Sequence, residues 1–194
     1  MKPPPFLIIE TGQPFPSLRR YGRFPHWIRV AAGLEQAETV VVNVEHGERL
    51  PARHGFAATI VTGSAAFVTD RAEWSERSAD WLREAAHAGM PLLGICYGHQ
   101  LLAHALGGQV DYNPAGRESG TIRLELDPAA AGDPLFGGLP ASFPAQATHL
   151  QTVLRAPAGA TVLARSAQDG CHAFRWGDNA WGLQFHPEFA THHM

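Results

Sequence analysis

The chain has 194 residues, 45% of them apolar and 17% charged, with 15 Lys and Arg against 18 Asp and Glu for a formal charge of −3. That length suits one domain, the apolar share suffices for a core, and the charge balance excludes a disordered chain or a nucleic-acid binder with a basic stripe. No apolar run approaches the ~20 residues of a membrane span, the start Met1-Lys2-Pro3-Pro4-Pro5 is unlike a secretory leader, and two cysteines are too few for a disulfide scaffold. The expectation is a single cytoplasmic domain over residues 1–194 with no nucleic-acid or membrane partner.

In chain order, Phe6-Leu7-Ile8-Ile9 is a short apolar run halted by the turn-prone Thr11-Gly12-Gln13-Pro14, as a buried first strand would be. Phe24, Trp27, Ile28, Ala31 and Leu34 then recur at helical spacing. Residues 39–44 are β-branched enough for a second strand, and residues 57–61 make a third that stops at Thr62-Gly63-Ser64. Asp70 followed by Glu73 predicts a capping box for a helix with Trp74, Trp81, Leu82 and Ala85 on its core side, ending before Gly89. Residues 91–95 read as a fourth strand. This alternation predicts a mostly parallel central sheet flanked by helices. From Gly120 onward strands dominate, at 121–126, 160–164, 171–176 and 180–185, the last two joined by the turn Gly177-Asp178-Asn179. The expected class is α/β with antiparallel C-terminal strands.

The chemistry is carried by Leu92-Leu93-Gly94-Ile95-Cys96-Tyr97-Gly98-His99-Gln100-Leu101-Leu102-Ala103, an apolar strand that runs through Gly-x-Cys-x-Gly directly into an apolar-periodic helix. Strand, elbow and helix are the context of a nucleophile elbow, with cysteine in place of serine. The glycines let the backbone fold tightly, and the helix N-terminus favours a thiolate and offers donors to a developing oxyanion. A glycine-flanked cysteine also fits a small buried residue at a tight turn; the flanking strand and helix favour the elbow. A thiol nucleophile needs a base and a group to orient it. His186-Pro187-Glu188 follows a strand, and the fixed φ of Pro187 stiffens the pair. Alone, His186 fits a surface histidine equally well.

Together, Gly94-Ile95-Cys96-Tyr97-Gly98-His99-Gln100 and His186-Pro187-Glu188 resemble the class I, triad-type glutamine amidotransferase domain, in the free-standing group similar to the amidotransferase half of GMP synthase. The likeness extends in order through Val61-Thr62-Gly63-Ser64, Gly107-Gly108, Thr148-His149 and Gln184-Phe185. It implies a flavodoxin-like fold and a site in which Cys96 attacks the side-chain amide of glutamine, forming a γ-glutamyl thioester and releasing ammonia. His186 would carry the proton and Glu188 would orient it. The backbone N–H groups of Ser64 and Tyr97 would form the oxyanion hole, and Gly63, Gln100, Thr148, His149, Leu150 and Gln151 would bind substrate. Ser64-Ala65 stands where many relatives have Gly-Pro, and His149-Leu150-Gln151 where they have His-Gly or His-polar-Asp. The chain ends six residues after Glu188, where family members commonly carry a further helix.

These parts call for no metal and no organic cofactor. His99 and His104 are poorly spaced as ligands, His192-His193 read as a frayed end, Cys171 as a small core residue inside a strand, Trp74 and Trp81 as core, and Arg117-Glu118 as a solvated loop pair. Neither a phosphate-binding G-x-x-x-x-G-K-[ST] loop nor a G-x-G-x-x-G is present, so an ammonia-consuming synthetase is expected on another chain. Two alternatives stay open: hydrolysis of a γ-glutamyl peptide or conjugate by the same triad, and a catalytically silent binding module. The oxyanion assignment separates main chain from side chain. Ser64→Ala keeps the N–H and should leave kcat within a few-fold, whereas Ser64→Pro removes it and should cost ~10²–10³ in kcat, with folding checked by thermal melting.

Overall fold

The structure, a computed structural model, describes residues 3–190. Strand β1 (Phe6–Glu10) pairs in parallel with β2 (Thr39–Asn43) on one side and β3 (Thr59–Val61) on the other. Helix α1 (Phe24–Ala32) lies between β1 and β2 in the chain, and α2 (Glu73–His87) links β3 to β4 (Leu92–Ile95). Helix α3 (Tyr97–Ala105) follows β4 with no intervening loop. Then come β5 (Gln109–Tyr112), β6 (Glu118–Leu126), β7 (Ser142–His149), β8 (Gln151–Arg155), β9 (Ala160–Arg165), β10 (Ala173–Trp176) and β11 (Ala180–Leu183).

The main sheet has nine strands in the order β2-β1-β3-β4-β11-β10-β9-β6-β7, parallel from β2 to β11 and antiparallel beyond. A separate ribbon pairs β5 with β8. Successive β1 side chains bury on opposite faces. Leu7 and Ile9 join a core with Leu82 and Ala85 of α2 and Leu101 and Leu102 of α3, while Ile8 packs with Ile28 of α1, Ile60 and Ile95. Leu124, Leu163, Phe136 and Phe185 form a further core under the antiparallel strands.

Two glycines let the elbow close. A Cβ on Gly94 would lie 2.3 Å from the Gly98 carbonyl oxygen, and one on Gly98 would lie 2.5 Å from the Val61 carbonyl oxygen. Helix α3 therefore rests directly on the backbones of β3 and β4. The β4–β11 ladder, which ends at Leu183 opposite Ile95, sets the two chain segments that leave these strands side by side.

Several expectations need correction. Asp70 does not cap α2. It ends a 3₁₀ turn (Val68–Asp70), Arg71 then turns left-handed at φ 52°, and α2 begins after Ala72 with no side-chain cap. Cys171 is not inside a strand but in the turn beside Gly170, although it is buried in the core as expected. Strands β5, β7 and β8 go beyond the strands expected from the sequence, and β6 starts at Glu118 rather than residue 121. His192-His193 lie outside the described residues.

Gly98→Ala should force α3 away from β3, an overpacking cost of about 2–3 kcal/mol and a Tm drop of roughly 5–10 °C. Gly132→Ala, which meets nothing within 4 Å, should melt within about 2 °C of the parent and serves as the control.

Candidate active site

Cys96 is the N-cap of α3, at φ 53° and ψ −103°. A non-glycine residue there carries ~1–3 kcal/mol of strain that its surroundings must offset. Hydrogen bonds hold it on both sides. Its N–H donates to the Leu183 carbonyl at 2.7 Å, and its carbonyl accepts the Gln100 N–H at 3.1 Å. The next turn is tied across the sheet, where the Gly98 N–H meets the Thr62 carbonyl at 3.1 Å. Tyr97 is buried with its hydroxyl 2.6 Å from Ser75 Oγ, and burial pushes its phenol up to about 12. The main-chain N–H groups of Tyr97 and Ser64 make no hydrogen bond among the described residues. Thr11, buried at the end of β1, steadies the strand opposite, its hydroxyl 2.9 and 3.1 Å from the Thr62 and Gly63 carbonyl oxygens.

His186 enters from the end of β11, its N–H donating to the Gln146 carbonyl at 2.8 Å. Its Nδ1 lies 2.8 Å from Glu188 Oε1, and because a carboxylate only accepts, Nδ1 carries the hydrogen. Nε2 is buried with no hydrogen-bond partner of normal geometry among the described residues. Phe189 stacks on the imidazole at 4.0 Å and 15°, and Trp27 packs edge-on against Phe189 at 5.8 Å. Burial alone would lower the His186 pKa, but the Glu188 carboxylate and the Cys96 sulfur outweigh it and raise it to about 10. A Cβ on Gly63 would lie 3.2 Å from His186 Cε1 and 3.6 Å from Cys96 Cβ, so nucleophile and base converge where Gly63 leaves room.

They face a cleft of about 420 Å³. Ser64, Tyr97, Gln100, Thr148, His149, Leu150 and Gln151 line it with Cys96 and His186, while Glu188 stands behind His186. The Thr148 carbonyl oxygen is 3.8 Å from Cys96 Sγ. The amide nitrogen of Gln100 is spent on the protein, donating to the Gln151 carbonyl at 2.7 Å and Gln184 Oε1 at 2.9 Å. The His149 ring turns away from the sulfur toward Glu118.

The structure adds residues that sequence reasoning missed. Phe15 and Leu18, Phe67, Arg117 and Ser119 line the cleft, and Thr11 and Phe189 support it. Glu118 is not a solvated loop residue. It is buried at the start of β6 directly opposite His149 in the ladder, a pairing that no local motif announces. Glu118, His149 and His172 converge closely enough to suggest a metal site. Glu118 Oε2, however, is 3.0 and 2.6 Å from the two Nε2 atoms, which are hydrogen-bond lengths. An ion with bonds of ~2.0–2.2 Å would hold its ligands more than ~3 Å apart, so these residues fit protons better than a metal. Cys171 is remote in role as well as place, since burial pushes its thiol up to about 12.

Comparison with known proteins agrees with this geometry. The family model for glutamine amidotransferase class-I matches residues 21–194. The chain is 47% identical over 111 residues to a glutamine-hydrolyzing GMP synthase of Thermomicrobium roseum, covering 57% of this chain and 19% of that one. It is 36% identical over 142 residues to the GMP synthase of Aeropyrum pernix, 73% of this chain and 25% of the relative. One of the separate subunits of the glutamine-hydrolyzing GMP synthase of Halobacterium salinarum is 37% identical over 111 residues, 56% of this chain and 58% of that relative. The chain thus spans about a fifth to a quarter of the long relatives and just over half of the Halobacterium salinarum one. A crystal structure of a glutamine amidotransferase from Methylobacillus flagellatus superposes with a TM-score of 0.82 at 25% identity, over 99% of this chain and 73% of that one. One from Thermotoga maritima superposes at 0.81 and 20% identity, over 99% and 80%, and shares the fold.

The raised His186 pKa has a definite sign in stability. The folded protein holds this proton up to about pH 10, whereas the unfolded chain releases it near 6.5. The contribution is complete below pH 6.5 and is lost as pH rises toward 10. Glu188→Gln, which removes the main attraction, should flatten this decline by on the order of 2–4 kcal/mol, read from urea unfolding of both proteins at pH 6 and pH 9.5.

Proposed function

Given that the chain belongs to the class I glutamine amidotransferase family, we propose that residues 1–194 act as one amidotransferase domain that hydrolyses the side-chain amide of glutamine. Cys96 Sγ attacks the amide carbon while His186 Nε2 takes the thiol proton, giving a tetrahedral oxyanion bound by the N–H groups of Ser64 and Tyr97. His186 returns the proton to the leaving nitrogen, the C–N bond breaks, and ammonia departs from a γ-glutamyl thioester. Water, deprotonated by the same imidazole, then cleaves the thioester to glutamate and restores the thiol. Glu188 keeps the imidazole in the tautomer that leaves Nε2 toward the sulfur.

The observation that carries this reading is the asymmetry of His186. Nδ1 is held by Glu188 at 2.8 Å, while the buried Nε2 has no protein hydrogen bond among the described residues. A purely structural histidine in so dry a place would have both nitrogens satisfied. The two unpaired amides of Ser64 and Tyr97 support the oxyanion role in the same way. The Halobacterium salinarum relative is by name one part of a GMP synthase built from separate subunits. By analogy the ammonia passes to a synthetase on a separate chain, in the cytoplasm. No helix among the described residues is long and apolar enough to cross a membrane.

The apolar outer walls of the cleft, with Phe15, Leu18, Phe67 and Leu150, favour a second reading in which the leaving group is larger than ammonia. Glutamine and a panel of γ-glutamyl amides, assayed for released ammonia or amine, separate the two. Cys96→Ser should lower turnover at least ~10³-fold, and Glu188→Gln should cost less than His186→Ala. A glutamine-mimicking diazo-ketone should label Cys96 and spare Cys171, as shown by peptide mass mapping. Absence of turnover with every amide, in a protein whose Cys96 the reagent does not modify, would leave only the silent module.

A further inference from the structure

The far wall of the cleft is a turn of four residues between β7 and β8, and its shape hangs on one ring. The Gln151 carbonyl accepts from His149 Nδ1 at 3.0 Å and from Gln100 Nε2 at 2.7 Å. This closes the turn that carries the Thr148 carbonyl to 3.8 Å from Cys96 Sγ. The other nitrogen of His149, Nε2, lies 3.0 Å from Glu118 Oε2. Both nitrogens therefore face oxygens that bear no hydrogen, and a neutral imidazole has only one N–H to give.

We infer that His149 is an imidazolium clamped by the Glu118 carboxylate, and that this buried pair positions the Thr148–Gln151 turn against the nucleophile. The inference rests on the proposed reading of the cleft as a substrate site.

Glu118 is built to be an anion. Its Oε1 accepts from Ser166 Oγ at 2.7 Å, and its Oε2 accepts from His149 and, at 2.6 Å, from His172 Nε2. Burial opposes ionisation, but these donors prevail and lower its pKa to about 2. The other groups around the ring favour the same state. Asp169, in the turn before β10, places Oδ2 4.0 Å from His149 Nε2 while accepting from the Thr152 hydroxyl and the Cys171 N–H. His172 meets the His149 ring edge-on at 5.3 Å and satisfies Glu118 with a single N–H. His99, on α3, is kept neutral by burial, its pKa lowered to about 3. Two carboxylates thus face one ring. Glu118 and His149 are positioning residues, since each shapes the turn and neither is placed on the reacting atoms.

The pair is tested by NMR of protein labelled with ¹⁵N-histidine, with His149 assigned by its loss in His149→Gln. At pH 7.5 both His149 nitrogens should show the protonated signature. Glu118→Gln offers an amide that can donate to Nε2, so the ring should become neutral with its hydrogen on Nδ1. The same variant should raise KM for whichever amide is turned over about tenfold, with kcat changed less than threefold, and Glu118→Asp should recover part of the loss. A neutral His149 in the parent protein overturns the inference, as does zinc copurifying at one ion per chain. An unchanged KM in a folded Glu118→Gln protein overturns the positioning role. The NMR result does not depend on turnover, so failure of the amidase reading and failure of the ion pair are told apart.

Discussion

Everything in this molecule that concerns chemistry depends on one backbone conformation, the positive φ of Cys96. An L-residue adopts it only under restraint, and the restraint is spread over the whole parallel half of the fold. Gly94 and Gly98 let α3 drop onto the backbones of β3 and β4, Leu183 fixes the Cys96 amide, and Thr62 receives the amide of Gly98. What emerges is a sulfur at the N-terminal end of a helix whose first amide is unpaired. The strain is local, and the structure that sustains it is not.

Two carboxylate–histidine pairs flank that sulfur, and they show how one motif serves opposite ends. In Glu188–His186 the carboxylate takes Nδ1 and leaves Nε2 bare and buried. In Glu118–His149 the carboxylate takes Nε2 while a carbonyl takes Nδ1, so no lone pair remains. The first ring can exchange a proton at little structural cost. The second cannot lose one without leaving an acceptor facing an acceptor. Such burial of charge is expensive unless every partner is in place. Glu118 meets that condition with three donors and Asp169 with two.

Most of the parallel sheet, the elbow and the His186-Pro187-Glu188 segment were legible in the sequence because each is a local signal. β-branched runs mark strands, glycines at fixed offsets mark the turn, and Pro187 stiffens its neighbours. The misses share a different physics. Strand β7 contains Pro144 and polar residues on a half-buried face, and β5 is largely exposed, so neither shows the apolar alternation of a core strand. Asp70 with Glu73 had the spacing of a cap, but a left-handed Arg71 intervened, and nothing local foretold that. Glu118 finds its meaning only across the β6–β7 ladder. The aromatic support of His186 by Phe189 and Trp27 joins residues from opposite ends of the chain. Pairings of that kind are properties of topology, invisible to any window of sequence.

The position of β11 has a consequence for the life of the chain before it is folded. This strand comes nearly last in sequence yet sits fifth of nine in the sheet, wedged between β4 and β10. Contacts of such long range are slow to form and leave sheet edges open meanwhile. Until β11 arrives, Cys96 lacks the Leu183 carbonyl that anchors its amide, and His186 has not been delivered. During synthesis the cysteine therefore waits as an ordinary thiol, unable to attack amides on nascent chains or metabolites around the ribosome. Completion of the sheet itself arms the site, so misfolded or truncated copies are chemically harmless by construction.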